Sequence, residues 1–246
     1  MKTVKKILNH IFIEGMSGMA SGLFATLIIG TILTQIGSLI GSNTVGNAVF
    51  IIGKAAMALT GAGIGVGTAH RLGQKPYVVL SAATAGMVGA FASKILNQSF
   101  FADGAVHLAG PGEPLGAFIA AMVAIDVGRL VAGKTKIDIL ITPLVSIVSG
   151  SAVGLVLGPP ISDFMAGIGG MVNWGTEQQR LLMGVVVSVL MGMILTLPIS
   201  SAAIGVVLNL SGIAAGAATV GCCANMIGFA VASWRENKMG GLLAQG

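Results

Sequence analysis

From Leu181 to Trp234 the chain runs for 54 residues without one charged or histidine side chain, with Pro198 in its interior and Asn209 and Asn225 among its few polar groups. A continuous helix of that length measures about 80 Å at 1.5 Å per residue, whereas the hydrocarbon core of a bilayer is about 30 Å thick. No water-soluble domain needs such a stretch. The tract therefore folds back inside a membrane, and backbone that breaks at membrane depth is tolerated only against protein or a watery cavity.

The rest of the chain agrees. Hydrophobic residues make up 54%, charged residues 9%, and the mean hydropathy is +0.94, where a soluble domain carries about a quarter charged residues. The reading is an all-α polytopic membrane protein, one transmembrane domain over residues 1–246. Its 38 glycines suit helices that associate in lipid by close backbone approach. Gly37 and Gly41, Gly63 and Gly67, Gly150, Gly154 and Gly158, and Gly212 and Gly216 have the four-residue spacing that permits such approach. The same faces serve packing within one protomer or a homodimer. A net charge of +5 does not indicate nucleic acid as a partner, because the basic residues sit in short loops, where they set topology. The two cysteines, Cys222 and Cys223, lie in an apolar run and read as small packing residues. The basic, amphipathic start is followed by an apolar run too long for a signal-peptide core, so it is read as mature sequence.

Apolar spans are predicted at Met16 to Ile40, Val45 to Thr68, Tyr77 to Ser93, Leu115 to Val131 and Ile139 to Leu157, ahead of the uncharged tract. Lys2, Lys5 and Lys6 precede the first span, Arg71 and Lys75 follow the second, and Arg129, Lys134 and Lys136 follow the fourth. The intervening loops are neutral or acidic on balance. These alternate basic loops predict a cytoplasmic N-terminus. The tract then poses a conflict, for Arg180 opens it from the outer side while Trp234 to Lys238 reads as a cytoplasmic cluster. Two crossings leave that cluster outside, and three need about sixty residues. A short or re-entrant element around Pro198 to Leu210 resolves it, giving about seven membrane elements, some broken or re-entrant. Gly158 to Gln179 is read as an outer loop, and the end at Gly240 to Gly246 leaves open a chain that continues.

Gly128 to Thr135 satisfies the phosphate-loop pattern GxxxxGK[ST], but that motif needs a strand before it and a soluble helix after it. Here it caps a membrane span, so it is read as coincidence. His10, His70 and His107 are far apart, and with no ligand spacing present neither a metal nor a cofactor is expected. Ionisable residues within spans mark functional sites by default. Lys54, in the middle of the second span, must snorkel, pair or face a cavity. Asp126 and Arg129, three apart, suit a structural pair. Glu113, between Gly112 and Pro114 at the mouth of the fourth span, stands at a helix N-terminus, where the dipole stabilises a carboxylate, and it can also contact a polyol. Asn209 and Asn225 suit interhelical hydrogen bonds or sugar hydroxyls.

Ile141 to Ile161 with its Gly158-Pro159-Pro160, then Gly184 to Gly192 and Leu197 to Ala203, resembles enzyme IIC, the membrane subunit of the bacterial sugar phosphotransferase system. Gly15 to Met19 resembles the first-span opening of the fructose-type branch. The whole chain, including Gly110 to Phe118 and Trp234 to Gly246, is similar to the compact second enzyme IIC family, which includes proteins described as toxin regulators. The resemblance implies a permease in the bacterial plasma membrane, at most the permease component of a protein-phosphohistidine–sugar phosphotransferase complex. It implies separate IIA and IIB phosphocarrier partners, a homodimer, and a sugar or polyol solute. Pro198, Ala202 and Ala203 match the fructose-type Pro-Val-Asn-Lys-Ala-Ala segment, with Ser200 and Ser201 in place of its Asn-Lys. The acidic residue that precedes that segment in the family is absent here. Taken together with the readings of the single residues, the expected solute contacts are Glu113, Ser200, Ser201 and Asn209, with Lys54 a lesser candidate, and no catalytic residue is assigned. A second reading is a membrane sensor or regulator that keeps the fold without coupled phosphorylation.

Overall fold

The computed structural model describes residues 9–102, 105–106, 108, 110–195, 205, 208 and 210–245. The chain divides into two compact units, Met1–Phe164 and Met165–Gly246. The first begins with α1 (His10–Ile40), α2 (Thr44–Ala58), α3 (Thr60–Arg71), α4 (Pro76–Ala90), the short α5 (Ala92–Leu96) and α6 (Pro114–Val131). Between α5 and α6 a minimal antiparallel hairpin pairs β1 (Phe101–Ala102) with β2 (Ala105–Val106). The unit boundary falls within α7 (Asp138–Gln178), and the second unit continues with α8 (Arg180–Ile194) and α9 (Gly212–Gln245).

Sequence punctuates these helices locally. The Asn43 side chain accepts the Gly46 amide at 2.6 Å and caps α2. Pro76 and Pro114 occupy first-turn positions of α4 and α6, where a missing N–H costs nothing. Gly41 ends α1 at φ +91°, a conformation that side chains rarely adopt.

Glycine decides how closely the helices of the first unit pack. A methyl group placed on Gly18 of α1 would lie 2.6 Å from the Thr68 Cα of α3. One on Gly61 of α3 would lie 2.7 Å from the Ala90 Cβ of α4, and one on Gly150 of α7 would lie 2.6 Å from the Ala120 carbonyl oxygen of α6. These distances leave no room for any larger residue. The gain is close dispersion contact and shielding of backbone dipoles, the substitute in lipid for a hydrophobic drive. The buried interior contains Met19, Ile64, Phe91 and Ile125, with Ala69, Val78 and Ala82 packed on Ile125. Of the spaced pairs, Gly63, Gly67, Gly150 and Gly154 all pack within the unit, whereas Gly216 faces open space.

Neighbouring helices of this unit meet in descending order. Gly30 lies against Met57 and Gly37 against Phe50, as antiparallel partners do. The second unit differs. Gly221 of α9 rests on the Ser188 carbonyl of α8, and Asn225 bonds Gly192. The pairs ascend together, the pattern of helices that run in the same direction. Consistently, the Ser211 amide just before α9 donates to Asn173 Oδ1 at 3.2 Å, in the last turns of α7 before the chain turns into α8. Val187, Met191 and Ala218 form the core of this unit.

Among the described residues, four helical stretches are long and apolar enough to cross a membrane, namely His10–Ile40, Pro114–Val131, Asp138–Ile161 and Gly212–Ala232, and the pair α2 and α3 makes a fifth if its bend is one span. Three predicted elements come out differently. The single span at Val45 to Thr68 is bent by 56° between Ala58 and Thr60. There the Thr60 hydroxyl takes the Met57 carbonyl at 2.6 Å, an intrusion into the helical ladder that bends helices. The predicted outer loop from Gly158 is helical through Gln178, with Pro159 and Pro160 inside α7. Proline ends most soluble helices, but neighbouring groups tolerate it in membrane helices. α4, at 15 residues, is about 22 Å long and shorter than the hydrocarbon core. The expected re-entrant element at Pro198 to Leu210 falls almost wholly outside the described residues.

Candidate functional site

Glu113 stands where three helices of the first unit converge. Gly112, at φ +72°, carries the chain onto the end of α4, where a methyl group would lie 2.7 Å from the Ala90 carbonyl oxygen. The Glu113 amide then donates to that oxygen at 2.7 Å, and its own carbonyl accepts from the Ala117 amide at 3.0 Å to start α6. With both backbone groups committed, the side chain makes no cap bond and is exposed. It is a carboxylate fixed by its backbone and free at its tip, at the positive end of the α6 dipole.

The floor of this corner is made of glycine. Gly116 of α6 lies against the Gly89 carbonyl of α4, and Gly158 of α7 faces Ala92, the Gly116 Cα and Gly89. The two residues after Gly158 are Pro159 and Pro160, which have no amide hydrogen. The carbonyls of Leu155 and Val156 therefore receive no helical bond from four residues on. Val156 is 71% exposed on the face of α7 turned away from Gly158, so the acceptors for hydroxyl donors on the segments that meet at this corner are the Glu113 carboxylate and the Leu155 carbonyl.

Phe91 and Lys94 belong to the same corner, though the sequence did not single them out. Phe91, 1% exposed, packs at 5.8 Å on Phe100, and the Lys94 ammonium lies 5.3 Å from the Phe91 ring centre. A lone lysine directly after the apolar run from Tyr77 to Ser93 was the available signal.

Lys54 lies elsewhere. It is exposed on α2, with its ammonium 5.4 Å from the ring of Phe50 one turn back. α2 packs chiefly on α1, whereas the start of α6 packs on α4, so Lys54 and Glu113 are not brought together. Ser200, Ser201 and Asn209 lie outside the described residues. Asn225 has the packing role, donating to the Gly192 carbonyl at 2.9 Å, and Cys222 packs beside Met191.

Asp126 and Arg129 do pair, at 3.4 Å. Their third member is His10, whose Nε2 lies 3.2 Å from Asp126 and whose Nδ1 lies 3.7 Å from Glu14. Sequence separation concealed that partnership, because α1 and α6 meet only in the fold. The phosphate-loop pattern is occupied from within. Gly133 donates its amide to Asp138 Oδ1 at 2.8 Å, so the chain's own carboxylate sits where a phosphate would. No cluster of histidine, cysteine and carboxylate groups that can hold a metal occurs among the described residues.

The family model for the phosphotransferase system, EIIC, matches residues 13–246. The chain belongs to this EIIC family. No curated protein and no solved structure matches it. As an EIIC protein it is a membrane permease component of a phosphotransferase system, and the family implies sugar as substrate and phosphotransferase partners in general.

Proposed function

We propose that this EIIC protein moves a sugar or similar polar solute inward across the bacterial plasma membrane, with phosphorylation by a separate IIB partner. The observation that carries the reading is the placement of Glu113, exposed at its tip and fixed at its backbone, over the corner shared by Gly89, Gly116 and Gly158. Its carboxylate accepts hydroxyl hydrogens from the solute. The Leu155 carbonyl, deprived of its helical donor by Pro159, adds an acceptor of the kind that broken helices supply in transporters. Ser200, Ser201 and Asn209 are proposed as further solute contacts on the sequence alone, with Lys54, which lies away from the Glu113 corner, as a lesser one.

The proposed topology has a cytoplasmic N-terminus, about seven membrane elements and a re-entrant element between α8 and α9. The shared direction of those two helices supports it, since it lets Arg180 and the Trp234 to Lys238 cluster stand on opposite sides. The assembly proposed is a homodimer of single-domain protomers.

Calorimetric titration of the purified protein with a panel of sugars and polyols tests the reading. At least one should bind, and Glu113→Gln should weaken it by about tenfold or more, the loss expected when a charged hydrogen-bond acceptor is neutralised. Unchanged binding by that variant removes Glu113 from the site. The replacement of Asn-Lys by Ser200 and Ser201 favours a second reading, a sensor that binds without transporting. Binding that persists while uptake is absent would select it.

A further inference from the structure

Among the described residues, five lysine and arginine side chains gather where α3 turns into α4 and α6 into α7: Arg71, Lys75, Arg129, Lys134 and Lys136. The two turns are tied together, for the Lys75 ammonium donates to the Ala132 carbonyl at 3.4 Å and lies against Gly133. The carboxylates at this end are already engaged. Asp126 holds Arg129 at 3.4 Å and His10 at 3.2 Å, and Glu14 faces His10 at 3.7 Å. Asp138 accepts from the Gly133 amide at 2.8 Å and the Thr142 hydroxyl at 2.5 Å. Arg71, Lys134 and Lys136 are exposed, and no described carboxylate lies within ion-pair distance of them. Two helix C-termini and two helix N-termini meet at this end, so the macrodipoles largely offset one another and do not neutralise these cations.

Apolar side chains begin at once beside the cations. Tyr77 is 40% exposed, Leu130 60% and Ile137 55%. The turns are short, so the charges stand level with the helix ends, at the depth of lipid headgroups rather than on a projecting surface that a soluble protein would grip. A phosphodiester with acyl chains attached matches both halves of this pattern, and a free anion matches only one. We propose that this end of the first unit binds the headgroup of an anionic phospholipid through Arg71, Lys134 and Lys136, with Lys75 holding the two turns in register. The proposal does not rest on the transport reading.

Native mass spectrometry of the purified protein, with phosphatidylglycerol or phosphatidylcholine added in detergent, tests it. The wild type should retain phosphatidylglycerol over phosphatidylcholine by about tenfold or more, as expected for several basic residues acting together on an anionic lipid, and high salt should erode the preference. Arg71→Gln, Lys134→Gln and Lys136→Gln combined should abolish it, while Arg180→Gln, at the start of α8, should not. If the triple variant does not fold, each single variant should show a partial loss. Equal retention of the two lipids, or a folded triple variant that still prefers phosphatidylglycerol, overturns the proposal. Displacement of the lipid by millimolar inorganic phosphate also overturns it, in favour of a free-anion site. So does a triple variant that keeps its lipid but no longer binds an acidic phosphocarrier protein.

Discussion

Asn225 donates its side-chain amide to the Gly192 carbonyl at 2.9 Å, one turn beyond the point where Gly221 rests on the Ser188 carbonyl. Both contacts join α8 to α9 inside the uncharged tract, and their ascending order sets the end of one helix and the start of the next at opposite ends of the pair. An uncharged amide is the strongest glue available there, since a carboxylate or ammonium at that depth is costly. Asn225→Val should therefore destabilise the second unit by about 1 kcal/mol, the scale of interhelical hydrogen bonds in membranes. The thermal midpoint in detergent should fall, and an unchanged midpoint would mean the bond contributes nothing.

Gly221 should be far less tolerant than Gly216, although the two look alike in sequence. A Cβ on Gly221 collides with the Ser188 carbonyl, whereas one on Gly216 meets nothing within 4 Å. Gly221→Ala should cost about 1 to 3 kcal/mol by overpacking, and Gly216→Ala should stay within about 0.5 kcal/mol of the wild type. Parallel melting curves of the two variants make the comparison, and equal tolerance at both positions would contradict the close approach of α8 and α9.

The bond between His10 and Asp126 fastens the start of α1 to the last turns of α6. Their side chains are 22% and 41% exposed, so solvent screens the attraction. A double-mutant cycle with His10→Gln and Asp126→Asn should give a coupling of about 0.2 to 1 kcal/mol that fades in high salt. A coupling insensitive to salt would show that the contact is not ionic.

Much of the fold was legible because lipid restricts the choices. The absence of charge from Leu181 to Trp234 required a membrane fold, and the spans ending at Ile40 and Val131 follow from hydropathy alone. The bend beside Thr60 was not legible, because a threonine hydroxyl that captures the Met57 carbonyl looks in sequence like any other helical threonine. Pro159 and Pro160 misled in the opposite direction, for proline ends helices in water more reliably than in lipid. At the candidate site the breakers around Glu113 announced a helix start. Its convergence with Gly89 and Gly158 depends on three helices far apart in sequence, as does the pairing of His10 with Asp126.

The most direct test of the central claim is phosphoenolpyruvate-dependent uptake of labelled sugars into membrane vesicles that contain this protein and its IIA and IIB phosphocarriers. At least one sugar should accumulate as its phosphate, and Glu113→Gln should reduce the initial rate by about tenfold or more, in line with the loss of a charged hydrogen bond to the solute. No accumulation of any sugar by the wild type with phosphorylated IIB present, or a Glu113→Gln rate equal to the wild type, would contradict it.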